Sequence, residues 1–383
     1  MASIRLVPRP DYSGNGFLNL VASLVEAAGG APRHPPLDAL PAADIAGAAN
    51  IVFLIVDGLG DNFLQAHAGG ALARHRRGAI SAVFPSTTAS AITTSFTGAT
   101  PLEHGLTGWF TYFSDAACVA APLPFQRRGE RRSLGVNPGQ LFIEASLFDG
   151  LARRSIVVSW RKIIDSAYNL HHCGRAERLA YDSLPGFLEQ TVRAVRSGPE
   201  RKFVYAYWPD FDALAHQHGV GSPEVRTHFE ALDAIFGEML VQLAGTDTIL
   251  VLTADHGFID CPAEESVELP AELSAMLRFP LCGERRVAFC HVHDEKIFLE
   301  KAKEILAGRA EVRPSRELLD EGWFGPGRPH VRFAERIGDV TLVMKGRATV
   351  KDWVPGEPRH LHIGNHGGTS DDEMQIPLVT AKA

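Results

Sequence analysis

Apolar positions fall into two rhythms along this chain. Across residues 19–28 they recur at helical spacing, with Leu20, Val21, Leu24 and Val25 on one face, and Gly29-Gly30 ends the pattern. After a proline-rich connection at 32–41, residues 51–56 form a continuous apolar run, rich in β-branched side chains, that stops at Asp57-Gly58. A run without polar alternation is what a strand buried on both faces requires, so it predicts a parallel strand inside a sheet. Similar runs stand at 155–159, 203–208 and 248–253, each with a helical pattern before or after it. This alternation predicts an α/β fold with a mostly parallel central sheet flanked by helices.

The texture changes near Pro262. Residues 287–292 read as a strand, 295–307 as a helix rich in Lys and Glu, and 339–344 as another strand. An inserted α+β subdomain is therefore expected over 262–358, leaving 1–261 and 359–383 as the core. The apolar stretch at 376–379 would return to the main sheet.

Composition narrows the function classes. Over 383 residues, 45% are hydrophobic and 22% charged, the balance of an ordinary globular protein. The net charge of −7 argues against binding nucleic-acid polymers, which usually meet a basic face. A small anionic substrate is compatible with it, since metal ions can supply positive charge. Five widely spaced cysteines without a CxxC pair are expected to be reduced. No apolar run approaches the roughly 20 residues of a spanning helix, so no membrane association is expected. The start, MASIRLVPRPDYSGNG, shows no basic stretch leading into an apolar one, and a cytoplasmic location is expected.

The residues able to carry chemistry sit at predicted strand ends, where open α/β sheets bind ligands. Asp57 follows the first run and could equally cap the next helix. DGLGDN is a poor dinucleotide fingerprint, because Phe63 stands at the third glycine position. The hydroxyl-rich stretch 84–105 places Ser86, Thr87, Thr88 and Ser90 after Pro85, at the start of a helix running through Ala91 and Ile92, where backbone N–H groups favour an anion. Asp212 and His216 lie four residues apart on one helical face, with Asp210 and His218 as competitors. Asp255-His256 ends another run and precedes Gly257, which lets backbone pass close to an ion. His366 is presented between Gly364, Gly367 and Gly368, whereas His360 and His362 read as surface residues.

In order, DG, P-S-x-T, D-x-x-x-H, ADHG and HGG resemble the alkaline phosphatase superfamily, most closely its type I phosphodiesterase/nucleotide pyrophosphatase branch. The resemblance implies an alkaline-phosphatase-like core and a hydrolase of phosphate esters. It implies one metal on Asp212, His216 and His366, and another on Asp57, Asp255 and His256 with the Thr88 oxygen as a further ligand. Oxygen and nitrogen donors without thiolate suit Zn²⁺, with Mn²⁺ or another divalent ion as alternatives. Thr88 is the implied nucleophile, forming a phospho-threonine, because the family places that residue three positions after the proline; Thr87 is the fallback. The expected substrate is a small phosphate ester or nucleotide.

Trp109 stands where these diesterases carry a phosphoryl-binding Asn, and with Phe110, Tyr112 and Phe113 it forms either an aromatic wall or core packing. A phosphomonoesterase or phosphonoacetate-type phosphonate hydrolase is the alternative, which would want basic residues such as Arg161 or Lys162. A cofactor-independent phosphoglycerate mutase would use Ser where Thr88 stands, and a non-catalytic binding module would have no need of Thr88 and every ligand. By its place, the insertion is expected to cap the site.

Overall fold

The computed structural model describes residues 9–67, 69–130 and 132–383. Residues 1–8, part of the stretch in which a leader was sought, lie outside these. The central sheet is built from β1 (Asn50–Val56), β2 (Arg76–Ser81), β3 (Arg154–Trp160), β4 (Glu177–Tyr181), β5 (Lys202–Trp208), β6 (Thr248–Thr253) and β7 (Gln375–Lys382), in the order β2-β7-β6-β1-β5-β3-β4. β1 pairs in parallel with β5 and β6, and β3 with β4 and β5, while β7 is antiparallel to β2 and β6. The fold is α/β with a mostly parallel seven-stranded sheet, as the apolar runs predict. β1, β5 and β6 are buried along their whole length.

Register aligns the strand ends that matter. Val56 pairs with Trp208, and Ile55 with both Tyr207 and Thr253, so β6, β1 and β5 finish together. The chain segments after them therefore emerge side by side. β7 returns the C-terminal apolar stretch to the sheet, and just before it Gly364–Asn365 pairs antiparallel with Ile259–Asp260. That ribbon carries His366 to the end of β6.

Between the two ribbon arms lies a four-stranded antiparallel sheet of Cys282–Gly283, Val287–Cys290, Val340–Met344 and Ala310–Pro314. Its side chains alternate with period two. Ala288 and Cys290 join a cluster with Phe298 and Ala302 of helix Glu295–Ile305, whereas Val287 and Phe289 pack with Phe84 and Leu102 of the core. This sheet is thus held by its own helix on one face and by the Phe84 and Leu102 region of the core on the other.

A buried ion pair ties it to the loop around His366. Arg286 donates from Nε and an Nη to the two Glu373 carboxylate oxygens, each at 3.1 Å, with side chains 2% and 0% exposed. Glu373 also accepts from Gly368 N–H at 2.8 Å and Ser370 Oγ at 2.7 Å. Removing one partner strands a buried charge, so Glu373→Ala is expected to cost about 3–5 kcal/mol of stability. Urea unfolding checks this, and an unchanged midpoint would show that the clamp contributes nothing.

Candidate active site

Thr88 is the first residue of helix Thr88–Thr97, preceded by Thr87 in an extended conformation. The first turn of a helix leaves N–H groups without intrahelical acceptors, so this end favours an anion. Asp57 follows β1, Asp212 and His216 lie on helix Asp210–His218 after β5, and Asp255-His256 follows β6. Asp57 caps no helix: the next one, Asp61–Ala66, starts after Gly60.

These side chains converge. Asp57, Asp255 and His256 offer ligand atoms within 4.8 Å of one another, and so do Asp212, His256 and His366. His216 joins the second cluster, its Nε2 3.4 Å from Asp212 Oδ1, and His366 Nε2 is 3.7 Å from the same oxygen. His256 Nε2 lies 3.3 Å from Asp57 Oδ1 and 3.6 Å from Asp255 Oδ2. The Thr88 hydroxyl sits on the Asp57 side, 3.4 Å from Asp57 Oδ1 and 3.2 Å from His256 Nε2. Thr87 Oγ1 points elsewhere and donates to Glu284 Oε1 at 2.5 Å.

Two observations make the clusters fit cations. Asp212 Oδ1 and Asp255 Oδ2 are shielded from solvent and lack a hydrogen-bond partner. An uncompensated buried carboxylate oxygen is costly unless it coordinates an ion. The second observation concerns the histidines. The Nδ1 of His216, His256 and His366 face the carbonyls of Gly364 at 2.9 Å, Gly257 at 3.1 Å and Ser86 at 3.2 Å. A carbonyl only accepts, so each Nδ1 carries the proton and each Nε2 keeps its lone pair directed at the carboxylates, the usual arrangement of metal-binding imidazole. Three imidazoles and three carboxylates form an oxygen and nitrogen donor set that suits divalent cations of the zinc kind.

The electrostatics agree. Burial pushes the Asp57 carboxyl up to about 6. Burial, with the neighbouring Asp57 charge added, pushes Asp255 up to about 8. Burial and the charges of Asp57 and Asp255 raise Asp212 as well. Burial lowers His216 to about 4 and His366 well below the ordinary imidazole value. Packed carboxylates and neutral imidazoles of this kind call for external positive charge.

Some supporting residues have no sequence motif. The Tyr207 hydroxyl donates to Asp57 Oδ2, and Gly58 N–H donates to Asp255 Oδ1 at 3.0 Å, so both carboxylates are held from behind. Gly257 does serve a close approach, but to protein: a Cβ there would lie 2.0 Å from the Asp372 carbonyl oxygen. Glu284 enters from the four-stranded sheet and accepts from Trp109 N–H at 2.6 Å as well as from Thr87.

A cavity of about 400 Å³ opens from Thr88, Asp212, His216 and His366 toward that sheet. Trp109, 40% exposed, and Phe110 line it, whereas Tyr112 stacks on Phe279 at 4.1 Å and Phe113 is buried. The aromatic run thus divides between wall and core. His360 and His362 also line the cavity; His360 is exposed, as a surface residue is, whereas the His362 ring is half-buried 4.2 Å from that of His216, which corrects the reading of that residue. Asp210 and His218 belong to neither cluster. Arg161 pairs with Asp182 at 2.8 Å and Lys162 lies over Trp160, both away from the cavity lining; the basic residues that do line it are Arg128, Arg285 and Lys351.

Comparison with known proteins places this architecture. Murine ectonucleotide pyrophosphatase/phosphodiesterase 5 superposes with a TM-score of 0.64 at 16% identity, covering 86% of this chain and 87% of that one. An inactive threonine-to-alanine form of that protein, in complex with AMP, matches equally well. Phosphonoacetate hydrolase from Sinorhizobium meliloti 1021, in complex with phosphonoformate, superposes at 0.63 with 16% identity, over 86% of this chain and 89% of that one. At this identity the likeness is one of fold. Phosphopentomutase of Vibrio parahaemolyticus is 31% identical over 134 residues, which cover 35% of this chain and 31% of that protein's length. The pattern defining the type I phosphodiesterase/nucleotide pyrophosphatase family matches residues 51–369, from the first residues of β1 through the loop bearing His366. That span holds both clusters and Thr88, and the chain belongs to the type I phosphodiesterase/nucleotide pyrophosphatase family of the alkaline phosphatase superfamily.

Proposed function

We propose that this protein hydrolyses small, nucleotide-like phosphodiesters or pyrophosphates through a phospho-threonine on Thr88. The observation that carries the reading is the placement of the Thr88 hydroxyl, at a helix N-terminus, beside one of two adjoining clusters that fit cations. Asp212, His216 and His366 would hold one ion, and Asp57, Asp255, His256 and the Thr88 oxygen the other, with zinc favoured by the donors. When bound, the two ions supply charge neutralisation and Lewis acidity at the reacting oxygens.

The chain's own groups then divide the work. Thr88 Oγ1 loses its proton to solvent and forms the new bond to phosphorus, while one ester oxygen leaves with the electrons of the broken bond and takes up a proton from solvent; the other ester arm stays on the phosphoryl group. N–H groups of the first helical turn face the non-bridging oxygens. Tyr207 and the Gly58 N–H keep Asp57 and Asp255 from turning away. Water then cleaves the phospho-threonine and frees Thr88. Trp109 offers a ring a face to stack on, in keeping with the AMP bound by the murine protein. Residues 262–358 act in this scheme as the cap that shapes the outer cavity.

Glu284 favours diesters over monoesters. Its carboxylate occupies the Thr87 hydroxyl and Trp109 N–H, two donors beside the nucleophile, and faces a phosphoryl group with negative charge. A dianionic monoester is repelled more than a monoanionic diester. Glu284→Gln is therefore expected to shrink the diester-to-monoester ratio of kcat/KM by about tenfold, the equivalent of about 1.4 kcal/mol. Parallel rates on an aryl phosphodiester, an aryl phosphomonoester and phosphonoacetate test both statements. Fastest turnover of the diester is expected; a wild-type preference for either of the others would overturn the proposed substrate class.

A further inference from the structure

Charge in the outer part of the cavity is not balanced. Arg128, Arg285 and Lys351 all line it, with Asp352 and Glu357 as the facing carboxylates. Arg128 uses both of these: Nε lies 2.8 Å from Glu357 Oε1 and an Nη 2.7 Å from Asp352 Oδ1, and its other Nη donates to the Leu281 carbonyl at 2.7 Å. Lys351 Nζ is 3.3 Å from Glu357 Oε2 and lies over the Phe110 and Trp353 rings. These two cations are structural, since each is committed to partners that form the cavity wall.

Arg285 is different. Its guanidinium donates to the His360 carbonyl at 3.0 Å and, among the described residues, has no carboxylate oxygen within 4.0 Å. The adjacent Glu284 carboxylate is turned away, onto Thr87 and Trp109. On an open surface an unpaired arginine needs no explanation. Arg285 is half-buried, and burial together with the repulsion of Arg128 pulls its pKa down. A guanidinium kept in such a place, with most of its donors free and facing a cavity, matches a carboxylate or phosphate oxyanion that arrives with the ligand.

We propose that Arg285 forms a second anion subsite, so that the preferred substrate carries, besides the reacting phosphoryl group, a further phosphate or carboxylate on one of its ester arms. This rests on the phosphodiesterase reading and deepens it. The two subsites have opposite charge logic. Glu284 limits the charge tolerated at the reacting phosphorus, while its neighbour Arg285 rewards charge farther out. A nucleoside polyphosphate and an organic phosphodiester with a carboxylate tail both satisfy that pattern, whereas a diester with two neutral arms does not.

Calorimetric binding to the zinc-loaded, full-length protein tests this without relying on turnover. The probes are propylphosphonate, phosphonopropionate and propylene bisphosphonate, which share a phosphonate for the metal end and differ at the far end. Wild-type protein is expected to bind at least one of the two doubly anionic probes about tenfold or more tighter than propylphosphonate, the scale of a charged hydrogen bond. The better of the two identifies carboxylate or phosphate as the natural group. Arg285→Gln should remove that preference, and Arg285→Lys should restore part of it. Equal affinity for all three probes in the wild type, or a preference that survives in Arg285→Gln, would overturn the inference. So would an equal loss for all three, because Arg285 would then be holding the His360 segment and not an anion. Rates on bis(4-nitrophenyl) phosphate in the same samples report separately on the phosphodiesterase reading: a dead wild type that still shows the Arg285-dependent preference refutes the reaction and not the subsite.

Discussion

Thr88→Ala is expected to lower the turnover of an aryl phosphodiester by roughly 10⁴- to 10⁶-fold, the scale on which loss of a hydroxyl nucleophile acts in other hydrolases. The loss is large because no neighbouring hydroxyl can take over. Thr87 Oγ1 is engaged by Glu284, and Ser86 Oγ donates to the Gly368 carbonyl at 2.8 Å. Ser90 Oγ is likewise committed, to the Leu106 carbonyl at 2.9 Å. Thr87→Ala should cost far less, on the order of tenfold, since it disturbs only the seat of Glu284. Thr88→Ser keeps an oxygen in place and should retain most of the rate. Rapid acid quench followed by mass spectrometry should find a phosphoryl group that still carries its remaining ester arm on residue 88 of the wild type and none in Thr88→Ala. A variant without the Thr88 hydroxyl that turns over normally would remove the nucleophile from this residue altogether.

How much of this could be read from the chain differs between interior and edge. The runs at 51–56, 203–208 and 248–253 become β1, β5 and β6 because strands buried on both faces leave no room for polar side chains. β2 and β4 carry Arg76, Arg77, Glu177 and Arg178, as sheet edges open to solvent do, and so escape a search for apolar runs. β2 ends at Ser81 although the apolar Ala82, Val83 and Phe84 follow it. Val83 and Phe84 leave the sheet to pack in hydrophobic clusters, Phe84 against Trp323 and Phe324 beyond the main sheet.

Much of the candidate site is legible for a geometric reason: Asp57, Asp212 and Asp255-His256 follow apolar runs whose strands are neighbours in the sheet, and parallel pairing in register brings the carboxyl ends of those strands together. Tyr207 had a readable sign too. Tyr205 and Tyr207 interrupt an apolar strand, and a buried phenol needs a partner. Their partners proved to be Ser95 and Asp57. Glu284, Arg285 and Lys351 had none, because a side chain that reaches the site from a separate sheet leaves no spacing to recognise. Arg161 and Lys162 mislead for the converse reason. They follow β3 at the same sheet end, but β5 stands between that strand and β1, and Arg161 closes on Asp182.

Stripping the protein of metal with a chelator should abolish diester hydrolysis, and zinc should restore it. The consequence for stability is equally specific. Without cations, Asp255 keeps its proton up to about 8 in the folded protein, against 3.8 as a free side chain, so between these values the folded state holds a proton that the unfolded state has released. Stability then falls as pH rises. Below 6.5 an opposing effect enters, because His216 and His366 are held neutral in the fold, His216 down to about 4, and unfolding there takes up protons. From 6.5 to about 8 the carboxyl effect stands alone, and the metal-free protein should lose on the order of 1 kcal/mol per pH unit. Zinc should raise the melting temperature and flatten this slope, since bound cations keep Asp57, Asp212 and Asp255 ionised at every pH in that window. Thermal melts at several pH values, with and without zinc, read both effects. Full activity in chelator would sink the two-metal centre. A metal-free protein whose stability did not decline across the window would mean that these carboxylates are already neutralised by the chain itself, and the clusters would then have no call on an ion.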